Sequence, residues 1–304
     1  MWMSERPGPA SGPRPLSGRV ALVAGATRGA GRGIAMELAA AGAAVVVTGR
    51  TTRDRRSDMN RPETIEETAE LISAAGGTAR AVVADHEDPS QVRAVAEVVG
   101  SEFGRLDVLV NDIWGGDRLT QWDTPFWQLD QDNLDRLWQQ AVRTHLLTSR
   151  HLVPLMLSNG GGLVVEVTDG TGEQYRGSLG YDLVKTAVIR LAYGMAQELK
   201  PYGVAALAVT PGFLRSEAML DIFGVSESNW RDGARRDPHF AASETPRFVG
   251  RAVAALAGDP HVMAKTGGTY ASWDLSDEYG FTDVDGRRPH WGRHISGAHT
   301  DAPA

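Results

Sequence analysis

Short apolar runs alternate with longer, helix-patterned segments along most of the chain. Val20 to Ala24, Ala43 to Gly49, Thr78 to Ala84 and Leu106 to Val110 are brief, rich in Val or Ala, and apolar over nearly their whole length. Such runs read as strands buried on both faces. Leu163 to Val167 and Gly267 to Ala271 continue the series. Between them lie helical patterns: Ile34 to Ala41, a segment from Pro62 to Gly76-Gly77 with proline in its first turn, and Pro89 to Phe103. A long one follows over Asp132 to Leu157, then the segment carrying Tyr181, then Val249 to Leu256. Strictly alternating strands and helices predict an α/β fold, one doubly wound parallel sheet of about seven strands flanked by helices. We place it over 16–304, after a tail at 1–15 that holds four prolines.

The first strand breaks at Gly25, and glycines recur at Gly29, Gly31 and Gly33 before the first helix. Strand, tight glycine turn and helix start make an anion site of the Rossmann type, because backbone N–H groups point outward with partial positive charge. The spacing is Gly25-x-x-x-Gly29-x-Gly31, with Thr27, Arg28 and Ala30 filling the turn that would hold a pyrophosphate. Strands one to four end on Gly25, Arg50, Asp85 and Asn111. In doubly wound sheets the ligand lies at these carboxyl ends. No carboxylate occurs from Ala43 to Arg53, whereas Arg28, Arg50 and Arg53 do. A 2′-phosphate suits arginine and a bare ribose suits a carboxylate, so NADP(H) is expected over NAD(H).

Composition narrows the roles. The formal net charge of −7 counts against a nucleic-acid or anionic-membrane partner. No apolar run reaches a membrane span, and the N-terminus lacks an apolar leader core, so a cytoplasmic protein is expected. There is no cysteine, and His261, His290, His294 and His299 have no dense metal-ligand spacing, so no metal site is expected.

Between Asp112 and Gln131 the sequence places Trp114, Trp122, Phe126 and Trp127 in a connection. They line an apolar pocket or pack under a subunit interface, and Trp114 is the best pocket candidate. Further on, Tyr181 and Lys185 stand at i, i+4, on one helical face. An ammonium there would favour phenolate and make Tyr181 a general acid or base.

Taken in order, Gly25-x-x-x-Gly29-x-Gly31, Asp85, Asn111, Tyr181-x-x-x-Lys185 and Pro211-Gly212 resemble the short-chain dehydrogenase/reductase family over about Leu16 to Tyr270. Gln174-Tyr175 and the stretch Tyr279 to Arg287 are similar to the branch of dehydrogenase/reductase SDR family member 1. The resemblance implies hydride exchange between a carbonyl and a secondary alcohol, with Tyr181 moving the proton and Lys185 lowering its pKa while binding the ribose. It also implies Asp85 and His86 beside the adenine, Asn111 shaping the crevice, and Pro211, Gly212 and Phe213 near the nicotinamide. A homodimer or homotetramer acting on a small carbonyl or alcohol is expected.

Two positions depart from the family pattern. Thr168 stands where a serine is usual, and its hydroxyl is expected on the substrate carbonyl, with Asp169 able to supply a carboxylate instead. Ala141 stands where a relay asparagine is usual, which leaves His145, one turn on, as a holder of a relay water. Residues 213–245 read as a substrate lid or as a flap on a neighbouring subunit, and 273–304 as a C-terminal extension. The departures keep a second reading open, a non-redox enzyme retaining the nucleotide structurally.

Overall fold

The computed structural model describes residues 14–172 and 174–300. Most of the expected tail, and the last four residues of the extension, lie outside the described residues. In chain order the elements that build the sheet are β1 (Val20–Ala24), α1 (Gly29–Ala40), β2 (Ala44–Gly49), α2 (Ile65–Ala74), β3 (Thr78–Val83), α3 (Pro89–Phe103) and β4 (Val108–Asn111). Then come α4 (Gln131–Trp138), α5 (Thr144–Leu157), β5 (Gly162–Val167), α6 (Leu179–Leu199) and β6 (Val204–Thr210). The chain closes with α7 (Glu217–Phe223), α8 (Pro246–Gly258), β7 (Thr269–Ala271), α9 (Ser272–Tyr279) and α10 (Trp291–Thr300).

The seven strands form one parallel sheet in the order β3-β2-β1-β4-β5-β6-β7. Chain order reverses at β1, so β1 and β4 part the crossovers and leave a crevice at their carboxyl ends. Alternate side chains feed opposite faces. Val23 and Val47 pack with Ile34, Leu38 and Val253 on one side, and Leu22 and Val46 with Val99, Leu109 and Leu152 on the other.

Three elements differ from the sequence pattern. Helix α2 starts at Ile65 and not at Pro62, because the Thr64 hydroxyl caps it by accepting from Glu67 N at 3.2 Å. The long helix is interrupted over Gln139–Arg143 by a π-helical turn, which separates α4 from α5. Val204–Thr210, to which the sequence reading assigns no element, is β6, buried at every residue.

Candidate active site

A cavity of about 1210 Å³ opens across the carboxyl ends of the strands. That exceeds a single drug-sized pocket and suits a dinucleotide with a second small molecule. At its base the chain leaves β1 through Gly25, which has φ +87°, and a Cβ there would meet Asp112 O at 2.2 Å. Gly31 sits behind this turn, where a Cβ would meet Gly25 O at 2.4 Å. These glycines let the turn fold onto α1 and onto the segment after β4. Thr27, Arg28, Gly29 and Ala30 face the cavity, whereas Gly31, expected at the ligand, does not and serves the packing of the turn.

Two features mark the turn as an anion site. Gly29 N donates to Glu217 Oε2 at 2.8 Å, so a carboxylate from α7 already occupies the positive end of α1. Arg28 Nη1 is buried and has no hydrogen-bond partner, and burial pushes the guanidinium pKa down. Arg50, at the end of β2, pairs with Asp58 at 2.6 Å, Glu87 at 3.4 Å and Asp85 at 3.6 Å. Asp85 and His86 line the same wall. His86 is buried between Thr48 Oγ1 and Thr148 Oγ1, each at 2.7 Å, and burial pushes its pKa down to about 4.

Asn111, expected in the crevice, does not reach it. The side chain is fully buried beneath the floor and donates to Ser149 Oγ at 2.9 Å and Glu166 Oε1 at 2.7 Å. The other Glu166 oxygen lies 2.5 Å from His145 Nδ1, and His145 Nε2 lies 3.0 Å from Ile113 O. Both nitrogens of His145 are therefore taken by protein groups, which removes it as the holder of a relay water. Instead it ties α5 and β5 to the segment after β4. Next along that segment, Asp112 sits at the cavity wall, and burial pushes it up to about 7 against the pull of Lys185 and His145.

Elsewhere on the cavity wall, Tyr181 lies between two tryptophans. The Trp114 ring meets it edge-on at 5.4 Å, and the Trp122 ring is tilted against it at 5.1 Å. Phe126 and Trp127 are exposed and line no part of the cavity. The Tyr181 hydroxyl donates to Asp169 Oδ2 at 2.7 Å, and Asp169 Oδ1 lies 2.5 Å from Arg176 Nη2. Lys185 faces the cavity with Tyr181, as their spacing requires, but its Nζ rests 4.1 Å from the Trp114 ring centre and 5.5 Å from that of Tyr181.

The expectation that Lys185 lowers the Tyr181 pKa is therefore corrected. Burial, followed by the Asp169 carboxylate, pushes Tyr181 well above the usual phenol range. Burial in turn pushes Lys185 down. Thr168 also differs from expectation. Its hydroxyl turns away from Tyr181 and donates to Lys185 O at 2.8 Å, so Asp169 is the polar partner of the phenol.

The remaining wall comes from Pro211, Gly212, Phe213 and the C-terminal part of the chain. Trp273 and, from α10, Trp291 and Ile295 face the cavity, and Trp291 stacks edge-on with Phe213 at 5.6 Å. Sequence reasoning did not place these residues, although Trp291 in a run of polar residues was the available signal. Residues 213–245 form a packed cap in which Phe223 stacks on Phe240 at 4.1 Å.

Beneath Gly212, buried Glu244 accepts from Gly212 N at 3.0 Å and Ser272 Oγ at 2.7 Å, and its Oε1 has no partner. Burial pushes this carboxyl up to about 8, against those two hydrogen bonds. Its folded pKa exceeds the unfolded one, so the native state holds an extra proton from about pH 4.5 to about pH 8, and its contribution to stability falls as pH rises through that window. Glu244→Gln is expected to bring the urea midpoints at about pH 6 and about pH 9 closer together than in the wild type. Equal spacing in both proteins would show that the carboxyl is not the source.

Among the described residues no group of three or more His, Cys, Asp or Glu is placed to hold a metal, and no helix is long and apolar enough to cross a membrane.

The sequence pattern of the family described as short chain dehydrogenase matches residues 19–223. Dehydrogenase/reductase SDR family member 1 is 36% identical in Mus musculus, over 90% of this chain and 85% of that protein. The Homo sapiens protein of the same name is 34% identical, over 90% of this chain and 85% of its own length. Short-chain reductase protein NovJ of Streptomyces niveus is 32% identical, over 89% of this chain and 94% of its own. Among solved structures, one from Beutenbergia cavernae, described as a candidate NAD(P)-dependent gluconate 5-dehydrogenase with NADP bound at low occupancy, has a TM-score of 0.68 at 27% identity and covers 86% of this chain and 97% of its own. A mutant short-chain dehydrogenase/reductase of Serratia marcescens has a TM-score of 0.70 at 29% identity, over 84% of this chain and 97% of its own.

Proposed function

This chain belongs to the short chain dehydrogenase family, whose members are oxidoreductases, and from that premise we propose that it is an NADP(H)-dependent enzyme interconverting a carbonyl and a secondary alcohol, with Tyr181 carrying the proton. The observation that carries the reading is the cavity itself, in which the glycine turn at the start of α1 and the Tyr181 hydroxyl share one space. Its residues fit a dinucleotide phosphate. Arg28 Nη1 is a buried donor without a partner, and Gly29 N already accommodates a carboxylate oxygen.

A nicotinamide dinucleotide bound there supplies or accepts the hydride. Arg28 and Arg50 would hold the 2′-phosphate, with Arg50 giving up its pairing with Asp58, a half-exposed ion pair of small worth. Gly29 N and Ala30 N would face the pyrophosphate in place of Glu217. Asp85 and His86 would flank the adenine, and Lys185, Pro211 and Gly212 the nicotinamide end. Trp114, Trp122 and Phe213 would exclude water from a partly apolar substrate, with 213–245 and the C-terminal extension as its cover. Asn111 supports the floor from beneath through Glu166 and Ser149. Exposed Trp138, Leu146 and Leu183, on α4, α5 and α6, favour a homodimer or homotetramer. Relatives with reductase and dehydrogenase names do not favour the non-redox alternative.

The test of the cofactor is a fluorescence titration with NADPH and with NADH. NADPH is expected to bind more tightly, and Arg50→Asp to lose about tenfold to a hundredfold of that affinity, since a charge-assisted hydrogen bond is at stake. Equal binding of both nucleotides would refute the assignment of the arginines.

A further inference from the structure

We propose that α10 supplies the substrate-selecting wall of the cavity, with Trp291 and Ile295 fitting a carbonyl compound that carries a flat aromatic ring. The inference rests on the cavity being the place of carbonyl exchange, and it deepens that reading by naming the substrate class. The family pattern ends at residue 223, so α9 and α10 lie beyond it.

Trp291 and Ile295 stand four residues apart, on one face of α10, and both line the cavity. Neither is fully buried. Polar contacts fasten the helix on its other sides. Arg293 Nη2 lies 2.5 Å from Asp277 of α9, and His294 Nε2 lies 2.9 Å from His239 Nδ1 of the cap. An apolar pair turned toward a cavity, on a helix anchored by its polar groups, is placed to meet a ligand.

The pair sits at the end of the cavity given above to the nicotinamide. A Cβ added at Gly212 would meet Trp291 Cβ at 2.7 Å, so the base of the indole rests directly on that turn. Glu244 holds the same turn from beneath, accepting from Gly212 N at 3.0 Å. The indole stands edge-on to Phe213 at 5.6 Å, and Phe213 meets Phe240 edge-on at 5.3 Å. Trp291 therefore ends an aromatic series that starts in the packed cap and reaches the cavity. Trp273 of α9, and Trp114 and Trp122 beside Tyr181, line the same space. Ring edges and faces attract a further ring beyond the area they bury, an attraction that an aliphatic carbonyl does not gain.

Two methyl ketones that share a reacting group, 2-acetylnaphthalene and 2-butanone, test this. In Trp291→Ala the KM for the naphthyl ketone is expected to rise about tenfold or more with kcat within about twofold, the sign of binding lost equally from ground and transition states. The KM for 2-butanone and the NADPH affinity are expected to stay within about twofold. Trp291→Phe is expected to keep most of the naphthyl preference. Ile295→Ala, which leaves the Gly212 contact intact, is expected to raise the naphthyl KM by about threefold. A second readout needs no turnover: saturation-transfer NMR of 2-acetylnaphthalene on the NADP+ complex is expected to show ring contact in the wild type and to lose it in Trp291→Ala. An equal rise of both KM values, a ring signal absent from the wild type, or one unchanged in Trp291→Ala overturns the proposal. A wild type that shows the ring contact, loses it in Trp291→Ala and yet reduces neither ketone removes the carbonyl chemistry and leaves the aromatic wall.

Discussion

Tyr181→Phe is expected to lower carbonyl turnover by about a hundredfold to ten-thousandfold, the range spanned by loss of a positioned general acid. NADPH affinity is expected to stay within about twofold, because the hydroxyl contacts Asp169 and not the glycine turn. The substitution is conservative for the fold. Phenylalanine keeps the ring contacts with Trp114 and Trp122, and Asp169 keeps its ion pair with Arg176. Steady-state turnover beside a nucleotide titration reads both quantities. Parallel loss of turnover and nucleotide affinity would mean that the tyrosine holds the site together and does not carry the proton.

Arg215→Met is expected to cost about 3–5 kcal/mol of folding stability, the scale for removing one partner of a buried charge pair. The guanidinium is fully buried. Nη2 lies 2.8 Å from Glu227 and 3.4 Å from Asp285, and Nη1 donates to Ser243 O at 2.8 Å. The plane also covers the Trp230 ring at 4.3 Å. One side chain thus ties the start of the cap to its middle, its end and the segment before α10. Methionine keeps much of the volume but removes the buried charge, and leaves Arg287 as the remaining donor to Ser243 O and Asp285. A urea midpoint at neutral pH measures the loss, and a cost below about 1 kcal/mol would show that the cap is fastened elsewhere.

The sheet was legible because strands buried on both faces must be apolar throughout, and Val20 to Ala24 and Leu163 to Val167 are. The glycine turn was legible because only glycine tolerates the approach of Asp112 O and the positive φ at Gly25. Tyr181 and Lys185 do share a face, as the helical repeat requires. What their side chains touch was not legible. Spacing fixes where a Cβ points but not which acceptor a hydroxyl selects, and a neighbour outside the motif, Asp169, took the phenol. The same limit hid the destination of Asn111, which lies at the end of β4 yet turns into a buried network with Glu166 and His145. The segments 213–245 and 273–304 were set apart in the sequence, but how they pack was not, for another reason. Their order rests on contacts far apart in the chain, such as Phe213 with Trp291 and Arg215 with Asp285, and no local period encodes these.

The most direct test of hydride exchange is deuterium transfer from NADPH labelled at the transferred position, followed by mass spectrometry of products from a panel of aromatic and aliphatic ketones. A product alcohol carrying one deuterium on the former carbonyl carbon, absent with Tyr181→Phe, is the predicted result. NADPH binding with no labelled product from any ketone would contradict the account.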